Sequence, residues 1–91
     1  MTPRIASFNG VHVHIYSREH LPPHIHVICG DDEAIIRISD AVVLRGRLEN
    51  SKLTMIRKWM QNRVVANELE NYFFALNPHL KRTKDLKYET N

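Results

Sequence analysis

The spacing of hydrophobic residues changes near Asn50. Before it, apolar and polar residues alternate and turn residues recur at short intervals, which is typical of strands with one buried face. After it, apolar residues recur every three or four positions, as on amphipathic helices. The pattern predicts an α+β fold: an antiparallel meander of four to five strands with one face covered by one or two C-terminal helices.

Two short turns set the predicted register of the strands. Asn9-Gly10 lies between alternating runs, and both residues tolerate the positive φ that a type I′ turn requires. Asp31-Asp32 predicts a second two-residue hairpin, and Ser39-Asp40 a turn into a fifth strand over residues 41–45. The two hairpins pair their flanking residues, Phe8 with Val11 and Gly30 with Glu33.

Strand alternation then sorts the side chains onto two faces. A register shifted by one residue would bury the histidines and expose the Val and Ile side chains. The apolar pattern therefore supports the predicted pairing. The predicted core face comprises Val11, Val13, Ile15, Ile25, Val27, Cys29, Ala34, Ile36 and Ile38. The other face receives His12, His14, Tyr16, His24, His26, Ile35 and Arg37, with His14 directly opposite His26.

The helical half carries two apolar stripes on nearly opposite sides of one helical wheel. The first comprises Leu53, Ile56, Met60 and Val64, and the second Leu69, Tyr72, Phe73 and Leu76. Either the helix breaks near Asn62, or its second half reaches a partner chain. The break is favoured because an unbroken helix would be about 39 Å long. Asn50 with Ser51 is the predicted N-cap, and Asn77-Pro78 the predicted end.

Length and charge favour one small domain with a basic end. The chain has 91 residues, which predicts a single domain over residues 1–80 and a flexible basic tail over residues 81–91. Residues 46–91 hold nine Lys or Arg against five Asp or Glu. The tail residues Lys81, Arg82, Lys84 and Lys87 are candidates for nucleic-acid contact, although such runs are more often solvated. No signal-like start or long apolar run occurs, which predicts a cytoplasmic protein without membrane contact.

The candidate chemistry lies among the six histidines. Cys29 is the one cysteine, so a protein metal site would have to be built on His. On a strand, His24 and His26 point the same way about 7 Å apart, and His20 lies in a loop stiffened by Pro22 and Pro23. We predict His20, His24 and His26 as ligands of a divalent transition metal such as zinc, nickel or manganese, with His14 as a further candidate.

Two other interpretations of these histidines remain open. They could be structural side chains that hydrogen-bond to the loop, or catalytic groups that act without a metal. Glu19 is near in sequence, but no carboxylate is obviously placed as a base. The chain has no glycine-rich phosphate loop and no nucleophile motif, which favours a protein that is not an enzyme.

The order of several residues resembles that of a bacterial family, the domain of unknown function 4160. The resemblance covers residues 3–76, and its most specific part is the motif His-x-Pro-Pro-His-x-His. Glu19 stands where an Asp is common, Ile25 where an aromatic residue is common, and His14 lies outside the pattern. The matching residues are Pro3, Ile5, Phe8, Gly10, His20, Pro22, Pro23, His24, His26, Val27 and Trp59.

The resemblance implies one half of a two-gene bacterial module of the toxin-antitoxin kind, with a small protein partner encoded nearby. An interaction component of such a module is therefore the preferred function, and a homodimer is another possible assembly. The alternative is a His-based metal-binding protein, or a metal-dependent hydrolase or nuclease using His20, His24 and His26. A third hypothesis is nucleic-acid binding through the basic tail.

Overall fold

A computed structural model describes residues 4–80 and has a five-stranded antiparallel sheet followed by two helices. The sheet order β1-β2-β3-β4-β5 follows the chain, so the sheet is a meander. The predicted α+β fold is confirmed. The strands are β1 (Arg4–Phe8), β2 (Val11–His14), β3 (His24–Cys29), β4 (Asp32–Arg37) and β5 (Val43–Gly46), and the helices are α1 (Asn50–Met60) and α2 (Arg63–Leu76).

The first hairpin has the predicted turn and register. Asn9 and Gly10 have φ values of 51° and 76°, as a type I′ turn requires. Phe8 pairs with Val11 across this turn. The next pair of strands follows the predicted register as well, because His14 lies opposite His26.

The second hairpin differs from the prediction. Its turn is Gly30-Asp31, so Cys29 pairs with Asp32. Glu33 pairs with Ile28, whereas the sequence predicts that it pairs with Gly30. Gly30 has a φ of 59°, which a residue without Cβ adopts at little cost and an aspartate does not. The pairing is displaced by two residues, which leaves every side chain on its predicted face. The fifth strand is also shorter than predicted and begins at Val43.

The predicted apolar face forms the core. All of its members are buried except Cys29, which is half-buried against the same cluster. Edge contact between the rings of Phe8 and Trp59, with centroids 5.4 Å apart, joins the first hairpin to α1. The helices cover this face with Ile56, Met60, Leu69, Phe73 and Phe74.

The helix breaks where the two apolar stripes predicted it. The Asn62 side chain accepts hydrogen bonds from the backbone N–H groups of Val64 and Val65 at 2.9 and 3.3 Å, and so caps α2. Val64 belongs to the first turn of α2, so it no longer continues the stripe of α1 and is 65% exposed. Tyr72, a member of the second stripe, is 49% exposed.

The predicted cap of α1 is wrong. The N-cap residue is Glu49, whose side chain makes no capping hydrogen bond, and Asn50 is the first residue of the helix. Polar residues follow one another from Glu49 to Ser51, so residue type alone does not identify which of them is the cap.

Some predictions concern residues outside the described range. The tail over residues 81–91 lies there, together with Lys81, Arg82, Lys84 and Lys87, so nucleic-acid contact stays a prediction. Among residues 4–80, neither helix combines the length and the apolar character that crossing a bilayer requires.

Replacing the cap of α2 should destabilise the protein. We expect Asn62→Ala to lower the free energy of unfolding by about 1 kcal/mol, because two backbone N–H groups lose their acceptor. The matched control is Asn50→Ala, which should leave stability unchanged or raise it slightly, since alanine favours helix and no capping bond is lost. Urea denaturation measures both variants. Equal losses in the two variants would contradict the assignment of the caps.

Candidate metal centre

Strand β3 and the loop before it bring two imidazoles and a carboxylate together. His24 and His26 alternate along β3, and Glu19 lies in the preceding loop. Glu19 Oε2 is in direct contact with Nε2 of His24 and lies 3.7 Å from Nε2 of His26. Each of the three side chains offers one metal-binding atom, and these atoms all lie within 4.8 Å of one another.

The other nitrogen of each ring is already engaged. Nδ1 of His24 donates to the carbonyl oxygen of Pro22 at 2.8 Å, and Nδ1 of His26 donates to Oε2 of Glu33 at 3.1 Å. Since these acceptors carry no proton, each neutral ring must have its proton on Nδ1. Both Nε2 lone pairs therefore face the Glu19 carboxylate, and three electron-pair donors converge where a cation would be stabilised.

The cluster is largely shielded from water. His24 is 3% exposed, and its ring centroid lies 5.4 Å from that of Phe73, so its ring is packed against α2. The rings of Tyr16 and His26 are in edge contact, with centroids 4.3 Å apart, so Tyr16 shields the His26 ring. Nε2 of His26 is buried and has no hydrogen-bond partner among residues 4–80. Burying a polar atom without a partner costs free energy, so a ligand bound to this nitrogen would stabilise the folded state.

A buried amide positions the Glu19 loop. Asn77 follows α2 and is fully buried; its Oδ1 accepts from the backbone N–H of Glu19 at 2.7 Å. Its Nδ2 donates to the carbonyl oxygens of Tyr16 and Phe73, each at 2.9 Å. His79 Nε2 also donates to the Glu19 carbonyl, at 3.3 Å. The backbone of Glu19 is thus held on both its polar groups by the segment that ends α2.

The structure assembles only part of the predicted ligand set. His24 and His26 belong to the cluster, whereas His20 is exposed and its ring centroid lies 5.9 Å from that of His24. His14 lies opposite His26 as predicted, but its ring stacks with Tyr16 at 6.2 Å and its nitrogens are not in the cluster. Glu19 completes the set in their place.

The sequence predicts no metal-ligand role for Glu19 and no role for Asn77. A carboxylate next to the histidine motif was the available signal for Glu19. The direction of its side chain depends on the loop, where Arg18 has a φ of 59°. Nothing in the order of residues indicates that Asn77 is buried, because an Asn before a proline is a common helix end.

Three groups near the cluster have shifted pKa values, Tyr16, Arg37 and Asp40. Burial, and then the charges of Glu33 and Glu19, raise the pKa of Tyr16, so its hydroxyl keeps its proton at neutral pH. Arg37, the cross-strand neighbour of His24, forms two hydrogen bonds to Asp40 at 2.8 and 2.7 Å. These hydrogen bonds raise the pKa of Arg37 and lower that of Asp40. The charge of Arg37 is therefore balanced locally.

A cleft of about 270 Å³ connects the cluster to the surface. One wall is formed by the loop and the start of β3, and the other by β4 and β5. The lining residues are Glu19, His20, Pro22, His24, His26, Ile35, Leu44 and Arg45. A ligand of the cluster would therefore be accessible from this side.

Comparison with known proteins identifies the family. The family model for a domain of unknown function, DUF4160, matches residues 10–70. The chain belongs to the DUF4160 family. The predicted resemblance is confirmed, and the matched range contains Glu19, His24 and His26 but not Asn77. No curated protein and no solved structure matches the chain.

Removing the Asn77 amide should destabilise the protein strongly. We expect Asn77→Ala to lower the free energy of unfolding by about 2 to 4 kcal/mol, because it leaves the polar groups of Glu19, Tyr16 and Phe73 without their partner. Chemical denaturation measures the change. Asn67→Ala, at an exposed position of the same helix, is the matched control and should cost nothing. A loss below about 1 kcal/mol in Asn77→Ala would show that the amide does not anchor the loop.

Proposed function

We propose that this chain binds a divalent transition metal ion through Glu19, His24 and His26. The observation that carries the proposal is Nε2 of His26, a buried nitrogen with no hydrogen-bond partner in residues 4–80, which faces the Glu19 carboxylate together with Nε2 of His24. A metal ion would bind all three donors and remove the repulsion between their lone pairs.

The donor set suits Zn²⁺ first. Two imidazole nitrogens and one carboxylate oxygen are a common set of three protein ligands for zinc, which leaves a fourth position open. Ligand atoms about 2.0 to 2.1 Å from a tetrahedral ion lie about 3.3 Å apart. The observed 3.7 Å between Glu19 Oε2 and His26 Nε2 is close to this value. Nickel and manganese remain alternatives, since imidazole and carboxylate bind them too.

The outer partners of the histidines support the same proposal. A ligating histidine usually donates its second N–H to a backbone carbonyl or a carboxylate, which fixes the tautomer and the ring orientation. His24 has the first kind of partner in Pro22, and His26 has the second in Glu33. A bound metal would supply Lewis-acid activation of a water in the open position, so the arrangement is compatible with a metal-dependent hydrolase.

Calorimetric titration with ZnCl₂ tests the ligand set. We expect Glu19→Gln and His26→Ala to weaken zinc binding by at least about a hundredfold, because each removes one of three ligands. Glu33→Gln should weaken it by about tenfold or more, since it removes the partner that orients His26. Circular dichroism shows whether each variant is folded. Glu19→Gln is nearly isosteric with wild type, so it tests the ligand set even where His26→Ala disturbs the structure.

His20→Ala is the matched control for this titration. Its side chain lies outside the cluster, so zinc affinity should stay within about twofold of wild type. If wild type binds no zinc, nickel or manganese, the proposal fails. If His20→Ala abolishes binding while Glu19→Gln does not, the ligand set predicted from the sequence is right, and the one derived from the structure is wrong.

A second candidate function is an interaction component of a toxin-antitoxin-like module. The exposed face of α2 supports it, because Val64 and Tyr72 are 65% and 49% exposed and lie eight positions apart, on one side of the helix. Glu68, Asn71 and Ala75 share this side, and together with Tyr72 they line a shallow groove. Membership of the family is compatible with a small partner encoded nearby, and the amphipathic groove suits a helix of that partner.

Co-expression with the product of the neighbouring gene tests this second candidate. We expect a stable complex, and we expect Val64→Ser combined with Tyr72→Ser to weaken it by more than about tenfold, since exposed aromatic and aliphatic anchors dominate such interfaces. Val42→Ser, at an exposed turn residue, is the control and should bind as wild type does. Size-exclusion chromatography with light scattering measures the masses. A dimer of this chain that the double variant disrupts would reassign the face to a homodimer.

A further inference from the structure

A row of side chains leads from the candidate metal centre across the sheet. Direct cross-strand pairing joins His26 to Ile35, and Ile35 to Arg45 on β5. Adjacent strands lie about 4.8 Å apart, so the backbones of His26 and Arg45 are about 10 Å apart. The long side chain of Arg45 lines the same cleft as the cluster. Arg45 therefore lines the same cleft as the candidate ligands, on the β5 side.

Among residues 4–80, the charge of Arg45 has no ionic partner. It is exposed, and its side chain makes no hydrogen bond or ion pair with any residue in the range the structure describes. Arg37 on the neighbouring strand differs, because Asp40 engages it with two hydrogen bonds. Of these two arginines on the sheet, the one that lines the cleft has its donors available for a ligand.

We propose that this cleft binds a phosphate group, with one oxygen at the open position of the metal ion and another on the guanidinium of Arg45. The inference rests on the proposed metal centre. His20, which lines the cleft and makes no hydrogen bond within residues 4–80, is the donor for a third oxygen. The assigned ligand is thus an inorganic phosphate or a phosphate ester.

With a divalent ion bound, the charge of the cleft would favour an anion. The three positive charges of the ion and Arg45 would exceed the single negative charge of Glu19, and they would exceed the two negative charges of Glu19 and Glu33, which binds His26 from outside the cleft. A guanidinium presents paired N–H donors that match the oxygens of phosphate and carboxylate. Three separate binding groups surround the space, and a phosphate group offers three terminal oxygens where a carboxylate offers two.

The size of the cleft limits what can bind with the phosphate. About 270 Å³ is slightly less than the roughly 300 Å³ at which pockets for drug-sized ligands begin. The cleft has room for the phosphate group and a small substituent, so the rest of a larger phosphate ester would lie on the surface outside the cleft. This arrangement suits recognition of a terminal phosphate more than recognition of a whole small molecule.

The test uses the full chain loaded with Co²⁺, whose visible absorption reports its coordination. Inorganic phosphate is titrated into this complex, and a saturable spectral change is expected. Arg45→Gln should bind cobalt as wild type does but raise the Kd for phosphate by about tenfold to a hundredfold, the effect of losing a charge-assisted contact. Arg47→Gln removes the same charge next to the cleft lining and is the matched control, with no change expected.

The outcomes separate the two proposals. No cobalt spectrum in wild type, together with no binding of zinc, nickel or manganese, would overturn the metal centre and the phosphate site together. A cobalt spectrum that phosphate does not change would overturn the phosphate site alone, as would equal phosphate affinities in wild type and Arg45→Gln. An acetate titration is the last arm, because acetate binding as tight as that of phosphate would assign the cleft to carboxylates instead.

Discussion

The alternation of side chains along β3 is the constraint on which both the core and the candidate site depend. Ile25 and Val27 are fully buried on one face, and His24 and His26 project from the other. A shift of one residue would expose the aliphatic pair and bury two imidazoles among apolar side chains, so the free energy of the core also holds the histidines in place. The site therefore needs no separate scaffold, because its two imidazoles lie on the central strand of the sheet.

The third member of the cluster is held differently, by a long-range polar contact. Glu19 comes from a loop, and a loop alone would not hold a carboxylate to within fractions of an ångström. The buried amide of Asn77 holds the loop, because it accepts a hydrogen bond from the Glu19 N–H and donates to two backbone carbonyl oxygens. The contact also links the two halves of the chain, since α2 packs on the core while Asn77, which follows α2, holds the loop. The stability of the helix layer and the geometry of the cluster are thus coupled.

Strand periodicity predicts most of this fold, and loop geometry limits what it predicts of the site. The faces of β2, β3 and β4 follow from alternation, so they remain correct although the second turn is Gly30-Asp31 and the register there is displaced by two residues. The break at Asn62 follows from the two stripes. His24 and His26 follow from their place on a strand. Glu19 and Asn77 do not, because their roles depend on a loop conformation and on a contact between residues 58 positions apart.

Because the chain is small, a metal ion bound at the candidate site would have a structural consequence beyond its chemistry. A chain of 91 residues buries roughly 60 to 65% of its unfolded surface, so its margin of stability is narrow. An ion that binds the folded state alone adds about 4 kcal/mol at a thousand times its Kd. Here it would join the Glu19 loop to β3 at the place where Asn77 joins the same loop to α2. Metal binding and the amide contact would therefore stabilise the same arrangement of sheet, loop and helix, and loss of either would weaken the other.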